Sequence, residues 1–309
     1  MLLVANGSVF TRNTQTPFIP NGAVVIDGDT IVEVGPECEL KAKYPDAEYV
    51  DAQGNLIMPG LINCHTHIYS GLARDLAIKG CNPTNFLENL EQQWWKIDDN
   101  LTLDGTKASA YATILDSIRD GVTTIFDHHA SFCEIPGSLF TIKDAAQELG
   151  MRSCLCYEVS DRRSQEKCDQ AIAENAEFAQ WAAKERRDND NHMIAAMPNV
   201  GWCEAMTMLF ENNAKMASKY FDRKLGVLEP GAAADVIVMD YKPFTPLSEE
   251  NIDGHMLFGM MGKNCRTTII NGRVLYKDRE FVGIDEDKIN AWTMAESKKL
   301  WSTLNDRAY

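Results

Sequence analysis

Short apolar runs rich in β-branched residues crowd both ends of the chain, and a different rhythm fills the middle. Ala23-Val24-Val25-Ile26 and Thr30-Ile31-Val32-Glu33-Val34 flank Asp27-Gly28-Asp29. Asp-Gly between two such runs predicts a hairpin, because the tight turn needs positive φ. Ala234–Met239 predicts a further strand, and Thr267–Ile270 and Arg273–Tyr276 flank Asn271-Gly272, the signature of a second hairpin. Isolated hairpins are marginal in water. Residues 1–55 and 225–309 therefore predict one composite β-sandwich built from both ends of the chain, with a tail helix after its last strand.

Residues 56–224 alternate strand and helix. Leu56-Ile57-Met58 turns at Pro59-Gly60 into Leu61-Ile62-Asn63-Cys64-His65. In 103–119, Tyr111, Ile114, Leu115 and Ile118 share one helical face, with Gly121 placed to cap its end. Val122–Phe126 predicts a strand, 138–149 a helix closed by Gly150, and Ser153–Val159 a strand. A polar helix over 161–187, a short strand over 193–197 and a helix over 202–220 follow. Lys184 to His192, dense in charge and Asn, reads as the most linker-like stretch. Alternating β and α with near-continuous apolar strands predicts an α/β fold, a parallel sheet covered by helices.

The length of 309 residues allows more than one folded unit. A net charge of −15 repels phosphate backbones and argues against nucleic-acid partners. No apolar run reaches a membrane span, and the first residues lack the basic stretch of a secretory signal. Nine scattered cysteines with no Cys-x-x-Cys pair predict free thiols in a reducing cytoplasm.

His65-Thr66-His67 is the chemical centre of the sequence. Histidines at i and i+2 on a strand point the same way. At the C-terminal end of a barrel strand both imidazoles reach one point in the mouth, where they suit zinc, iron and related ions. Alone, a His-x-His pair is a weak signal. Asp127-His128-His129 follows the next strand and reads as pocket lining, as a further ligand, or as a loop capping the next helix. Phe86 and Trp94-Trp95 lie in the loop after the first strand, a place for a substrate lid or for helix packing. Cys64 is a further candidate donor, or a residue alternating to the outer face. His192 sits in the charged stretch and reads as solvated.

Three stretches together make the signal specific. Pro59-Gly60-Leu61-Ile62-Asn63-Cys64-His65-Thr66-His67 resembles the "PG-hydrophobic-hydrophobic-(D/N)-x-H-x-H" signature of the metal-dependent amidohydrolase superfamily. Leu228-Glu229-Pro230-Gly231-Ala232-Ala233-Ala234-Asp235-Val236 resembles its return into the sandwich, and Ile270-Asn271-Gly272-Arg273-Val274 its terminal hairpin. The resemblance covers nearly the whole chain and points to the cytosine-deaminase and chlorohydrolase-like branch, among the SsnA-type aminohydrolases. It implies a (β/α)8 TIM-like barrel inserted into a small β-sandwich. It also implies a divalent metal, zinc or iron, and hydrolysis of a non-peptide carbon–nitrogen bond by metal-activated water. The substrate would be a small molecule such as a nitrogen heterocycle, and a homo-oligomer fits the same pattern. His65 and His67 would be the first metal ligands, with Phe86, His128 and His129 at the substrate pocket.

The same comparison exposes a gap. The family takes further ligands, commonly a His and an Asp, from later strands, and this sequence offers no second His-x-His. Only His128, His129, His192 and His255 follow His67, and His255 lies beyond the return strand. The 158 residues from His67 to Leu225 fall short of the roughly 250 of a whole barrel. The reading is an incomplete barrel over 56–224, with a seam near Met197-Pro198, and either an impaired hydrolase or an inactive remnant.

Overall fold

The computed structural model describes residues 1–196, 213–243, 245–248, 252, 255–256 and 264–306. The expected seam at Met197-Pro198 and the first half of the helix expected over 202–220 lie outside them. The chain divides into two compact units. One comprises Met1–Asn63, Ser117–Thr124 and Trp202–Ile284, and the other Cys64–Asp116, Ile125–Gly201 and Asp285–Tyr309.

In the first unit both ends of the chain enter one nine-stranded sheet. Its strands are β1 (Leu2–Phe10), β2 (Phe18–Asp27), β3 (Thr30–Pro36), β4 (Glu48–Asp51), β5 (Leu56–Pro59), β10 (Val236–Met239), β11 (Cys265–Ile270), β12 (Arg273–Lys277) and β13 (Glu280–Phe281). The order is β13-β12-β11-β10-β5-β1-β2-β3, with β4 joined to β1. The two ends meet where β5 pairs antiparallel with β10, Met58 opposite Ile237. Along its edge away from β2, β1 forks: Leu2–Ala5 pair with β4 and Ser8–Val9 with β5. Alternation sends Val4, Val24 and Ile26 into one core with Ile57, Val236 and Val238. Leu3, Ala23 and Val25 go to the other face, under Leu40 of helix α1 (Glu37–Lys43).

Both predicted hairpins form: Val24 pairs with Val34, and Ile270 with Arg273. Their turns use positive φ at Gly28, Asn271 and Gly272, as Asp-Gly and Asn-Gly dictate. The turns also meet each other. A Cβ on Gly272 would lie 1.7 Å from the carbonyl oxygen of Gly28.

A second sheet runs β6 (Leu61–Thr66), β7 (Val122–His129), β8 (Arg152–Tyr157), β9 (Ile194–Ala196) in chain order, and β8 and β9 pair parallel. Among the described residues its four strands do not close into a barrel. The segment after β6 holds a 3-10 turn (Ile68–Ala73), helix α2 (Phe86–Asn89), a π-helical turn (Leu90–Trp94) and α3 (Trp95–Asp98). Helices α4 (Leu103–Arg119), α5 (Ser138–Leu149) and α6 (Gln165–Asn189) link the strands. Gly150 closes α5 in the left-handed region. Buried Glu174 of α6 accepts hydrogen bonds from the Gly137 and Leu139 amides at the start of α5, at 2.7 and 2.8 Å.

Two readings of the sequence change here. The stretch read as a linker from Lys184 is mostly helix, because α6 continues to Asn189 and ends at Asp190 in the left-handed region. Lys, Glu and Arg are good helix formers, so charge density there marks a solvated helical face. His192 is also less solvated than expected, with its side chain only 16% exposed beside Asp190. Helix α7 (Asn213–Phe221) is the described part of the helix expected over 202–220. The last helix, α8 (Glu286–Asp306), packs within the second unit, where Trp301 Nε1 donates to the Leu72 carbonyl at 2.7 Å. No helix among the described residues is long and apolar enough to cross a membrane, and the eight described cysteines are free thiols.

Candidate functional site

His65 and His67 stand at the C-terminal end of β6, where the chain leaves the sheet. Their ring centroids are 4.8 Å apart at 88°. Two imidazoles sharing an ion at about 2.1 Å in tetrahedral geometry hold their centroids about 5 Å apart, a separation the pair matches. The ring of His67 is oriented as well. Its Nδ1 lies 3.0 Å from the carbonyl oxygen of His128. A carbonyl only accepts, so Nδ1 carries the proton and Nε2 is left as the lone-pair nitrogen for an ion. Burial, and then the neighbouring His67, hold His65 below the usual histidine range, which favours the neutral, ligating form.

Strand β7 ends beside this pair. The ring centroid of His128 is 5.7 Å from that of His67, and burial first, then the two other histidines, depress its pKa. Among the described residues, however, no group of three His, Cys, Asp or Glu side chains is arranged to hold one ion. Cys64 adds no ready donor, since burial pushes its thiol up to about 12.

Asp127 and His129 face the interior, with both side chains fully buried. Asp127 Oδ1 accepts from the Ile68 amide at 2.6 Å, and Oδ2 has no hydrogen-bond partner among the described residues. Burial pushes Asp127 up to about 8 and His129 down to about 3. His129 Nε2 meets Ser131 Oγ at 2.9 Å, and Ser131 Oγ donates onward to the Glu134 carbonyl at 3.1 Å. His129 therefore carries its proton on Nε2, and its Nδ1 has no partner among the described residues. The His129 ring lies 6.1 Å from Tyr69 and 5.5 Å from Tyr157.

No motif in the sequence singles out Arg162. Its Nη2 pairs with Asp98 at 2.5 Å and its Nη1 with Glu158 at 3.1 Å. Its guanidinium lies 4.2 Å from the Phe132 ring centroid and 5.2 Å from that of Trp95. One cation thus ties together the segments after β6, β7 and β8. Trp94 and Trp95 are half-buried, Trp94 with its ring 6.4 Å from Tyr69. Phe86 lies at the start of α2, 75% exposed.

A family model described as "Amidohydrolase family" matches residues 56–211, and one described as an imidazolonepropionase-like composite domain of bacteria matches 22–47. A 5'-deoxyadenosine deaminase of Methanococcoides burtonii is 30% identical over 188 residues, 59% of this chain and 39% of that protein. A 5-methylthioadenosine/S-adenosylhomocysteine deaminase of Bacillus cereus is 26% identical over 193 residues, 62% of this chain and 41% of its own length. The chain thus spans about two fifths of these relatives. Among solved structures, the atrazine chlorohydrolase TrzN of Arthrobacter aurescens complexed with zinc aligns at TM-score 0.65 and 17% identity, over 96% of this chain and 100% of that one. An adenosine deaminase of Xanthomonas campestris with bound zinc aligns at 0.66 and 15%, over 97% and 98%. At these identities the likeness is one of fold.

Proposed function

The chain belongs to the amidohydrolase family, and from that premise we propose that it is by lineage a metal-dependent hydrolase of non-peptide carbon–nitrogen bonds, of the deaminase kind. The observation that carries this is the His65–His67 pair at the end of β6, with ring centroids 4.8 Å apart and the His67 proton held on Nδ1, leaving Nε2 as the lone-pair nitrogen. In this reading the two histidines hold a divalent ion, zinc or iron, which when bound supplies a water acidified to near neutrality. The deaminase relatives favour a small nitrogen heterocycle as substrate, with His128 and His129 beside it. The second sheet is read as the opening of a (β/α)8 barrel over 56–224. The nine-stranded sheet is read as the accompanying sandwich over 1–55 and 225–309.

A second reading, a chain that keeps the ion-binding pair without turnover, is favoured by one observation. A catalytic ion takes three or more protein ligands, and the described residues offer no third. Metal analysis after dialysis, beside assays of ammonia release from adenosine-type nucleosides and cytosine, separates the two. We expect well under one ion per chain, abolished by His65→Ala, and ammonia at background. A stoichiometric, dialysis-resistant ion with turnover lost in His65→Ala would establish the active enzyme. Metal retention indifferent to His65→Ala would refute both.

A further inference from the structure

Resting on the proposed role of His67 as a ligand, we infer that Asp127 is its positioning residue: the Asp127 carboxyl group fixes the backbone just past His67 so that the next carbonyl of β7 holds the His67 ring with Nε2 left as the nitrogen available to an ion. His67 is where β6 leaves the sheet, at φ −125 and ψ 79, and the 3-10 turn begins at Ile68. Past that point no strand carbonyl takes the Ile68 amide, and Ile68 is fully buried. Asp127 Oδ1 accepts it at 2.6 Å. One residue along, the His128 carbonyl accepts from His67 Nδ1 at 3.0 Å. Successive strand residues present their side chains to opposite faces, so β7 reaches the same bend twice, by the side chain of one residue and the backbone of the next.

The bend is held from its own side too. The His67 carbonyl accepts from Ser70 N at 3.0 Å and from Ser70 Oγ at 2.7 Å. On the far side of β7, Cys156 Sγ donates to the Asp127 carbonyl at 3.6 Å, tying the Asp127 backbone to β8. The His67 carbonyl, the Ile68 amide and His67 Nδ1 thus each have a fixed partner, and the ring has Nε2 left to offer. A hydrogen-bonded support of this kind sets the tautomer and direction of a ligating imidazole.

The test reads the proton on His67 directly. Long-range 1H–15N correlation spectra of the metal-free chain should place it on Nδ1. Asp127→Asn keeps an oxygen for the Ile68 amide and should preserve both that tautomer and the zinc affinity measured against a competing chelator. Asp127→Ala should let the Nε2–H tautomer appear and weaken zinc binding about 10- to 100-fold. An Nε2–H tautomer in the unmodified chain would overturn the proposal whether or not any variant folds. So would an Asp127→Ala chain with native circular dichroism, the original tautomer and unchanged zinc affinity. Zinc binding indifferent to His65→Ala would remove the metal reading, and the tautomer measurement would still decide the clamp.

Discussion

Asp98 and Arg162 form an ion pair shut away from solvent, Oδ2 to Nη2 at 2.5 Å, with side chains 2% and 13% exposed. Burial drives the Asp98 pKa up to about 7 while Arg162 pulls it down, so the carboxylate depends on its partner to stay charged. Removing Arg162 forces Asp98 either to stay charged and unpaired or to take up a proton, at a cost of up to about 3–5 kcal/mol. Arg162→Met should therefore lower unfolding stability by that order in urea titration. Adding Asp98→Asn should restore most of the loss. A single variant as stable as the parent would show that the pair contributes nothing.

Asp127 and His129 should give the metal-free chain opposite pH responses. The raised pKa of Asp127, about 8, means that its contribution is complete below the ordinary aspartate range and is lost as pH climbs from about 4 toward 8. The depressed pKa of His129, about 3, means that its contribution is complete above about 6.5 and is lost as pH falls toward 3. Relative to the parent, Asp127→Asn should gain stability as pH rises through the first window, at up to about 1.4 kcal/mol per pH unit. His129→Gln should gain as pH falls through the second. Parallel stability–pH curves for parent and variants would contradict these assignments.

The two hairpin turns differ in what alanine would cost. Gly28 has φ +58 and open space around its missing Cβ, whereas Gly272 has φ +75 with the Gly28 carbonyl in the way. Gly28→Ala should cost the left-handed penalty alone, about 1–2 kcal/mol. Gly272→Ala adds a backbone clash and should cost about 1–3 kcal/mol more. Paired thermal melts check the ordering.

Glu174 caps a helix that is not its own. Its carboxylate takes two amides at the start of α5, so Glu174→Ala leaves the buried Leu139 donor bare, at about 1–3 kcal/mol, and the part-buried Gly137 donor bare at a smaller cost. Glu174→Gln keeps one oxygen and should lose about half as much. Faster amide exchange at Gly137 and Leu139 in the alanine variant would locate the loss.

What could be read beforehand follows a physical line. Asp27-Gly28 and Asn271-Gly272 announced their hairpins because positive φ restricts residue choice locally, and His65-x-His67 declared itself because strand geometry makes i and i+2 neighbours. Arg162 and Asp98 lie 64 positions apart, and nothing local to either names the other. The Asp127–Ile68 bond escaped for the same reason, and Asp127-His128-His129 read more readily as a loop cap than as pocket lining. Phe86, singled out for its aromatic ring, is held by α2 with most of its surface in water. The charged run before His192 misled because solubility and helix propensity favour the same residues.

The β5–β10 junction has a consequence for synthesis. Met58 finds its partner only when Ile237 exists, so β5 must wait through the whole intervening segment with one edge unmatched. Such distant pairing slows folding. On the ribosome, the first five strands would emerge as an unfinished sheet, and a chain stalled before Val236 would present that raw edge to any other strand nearby.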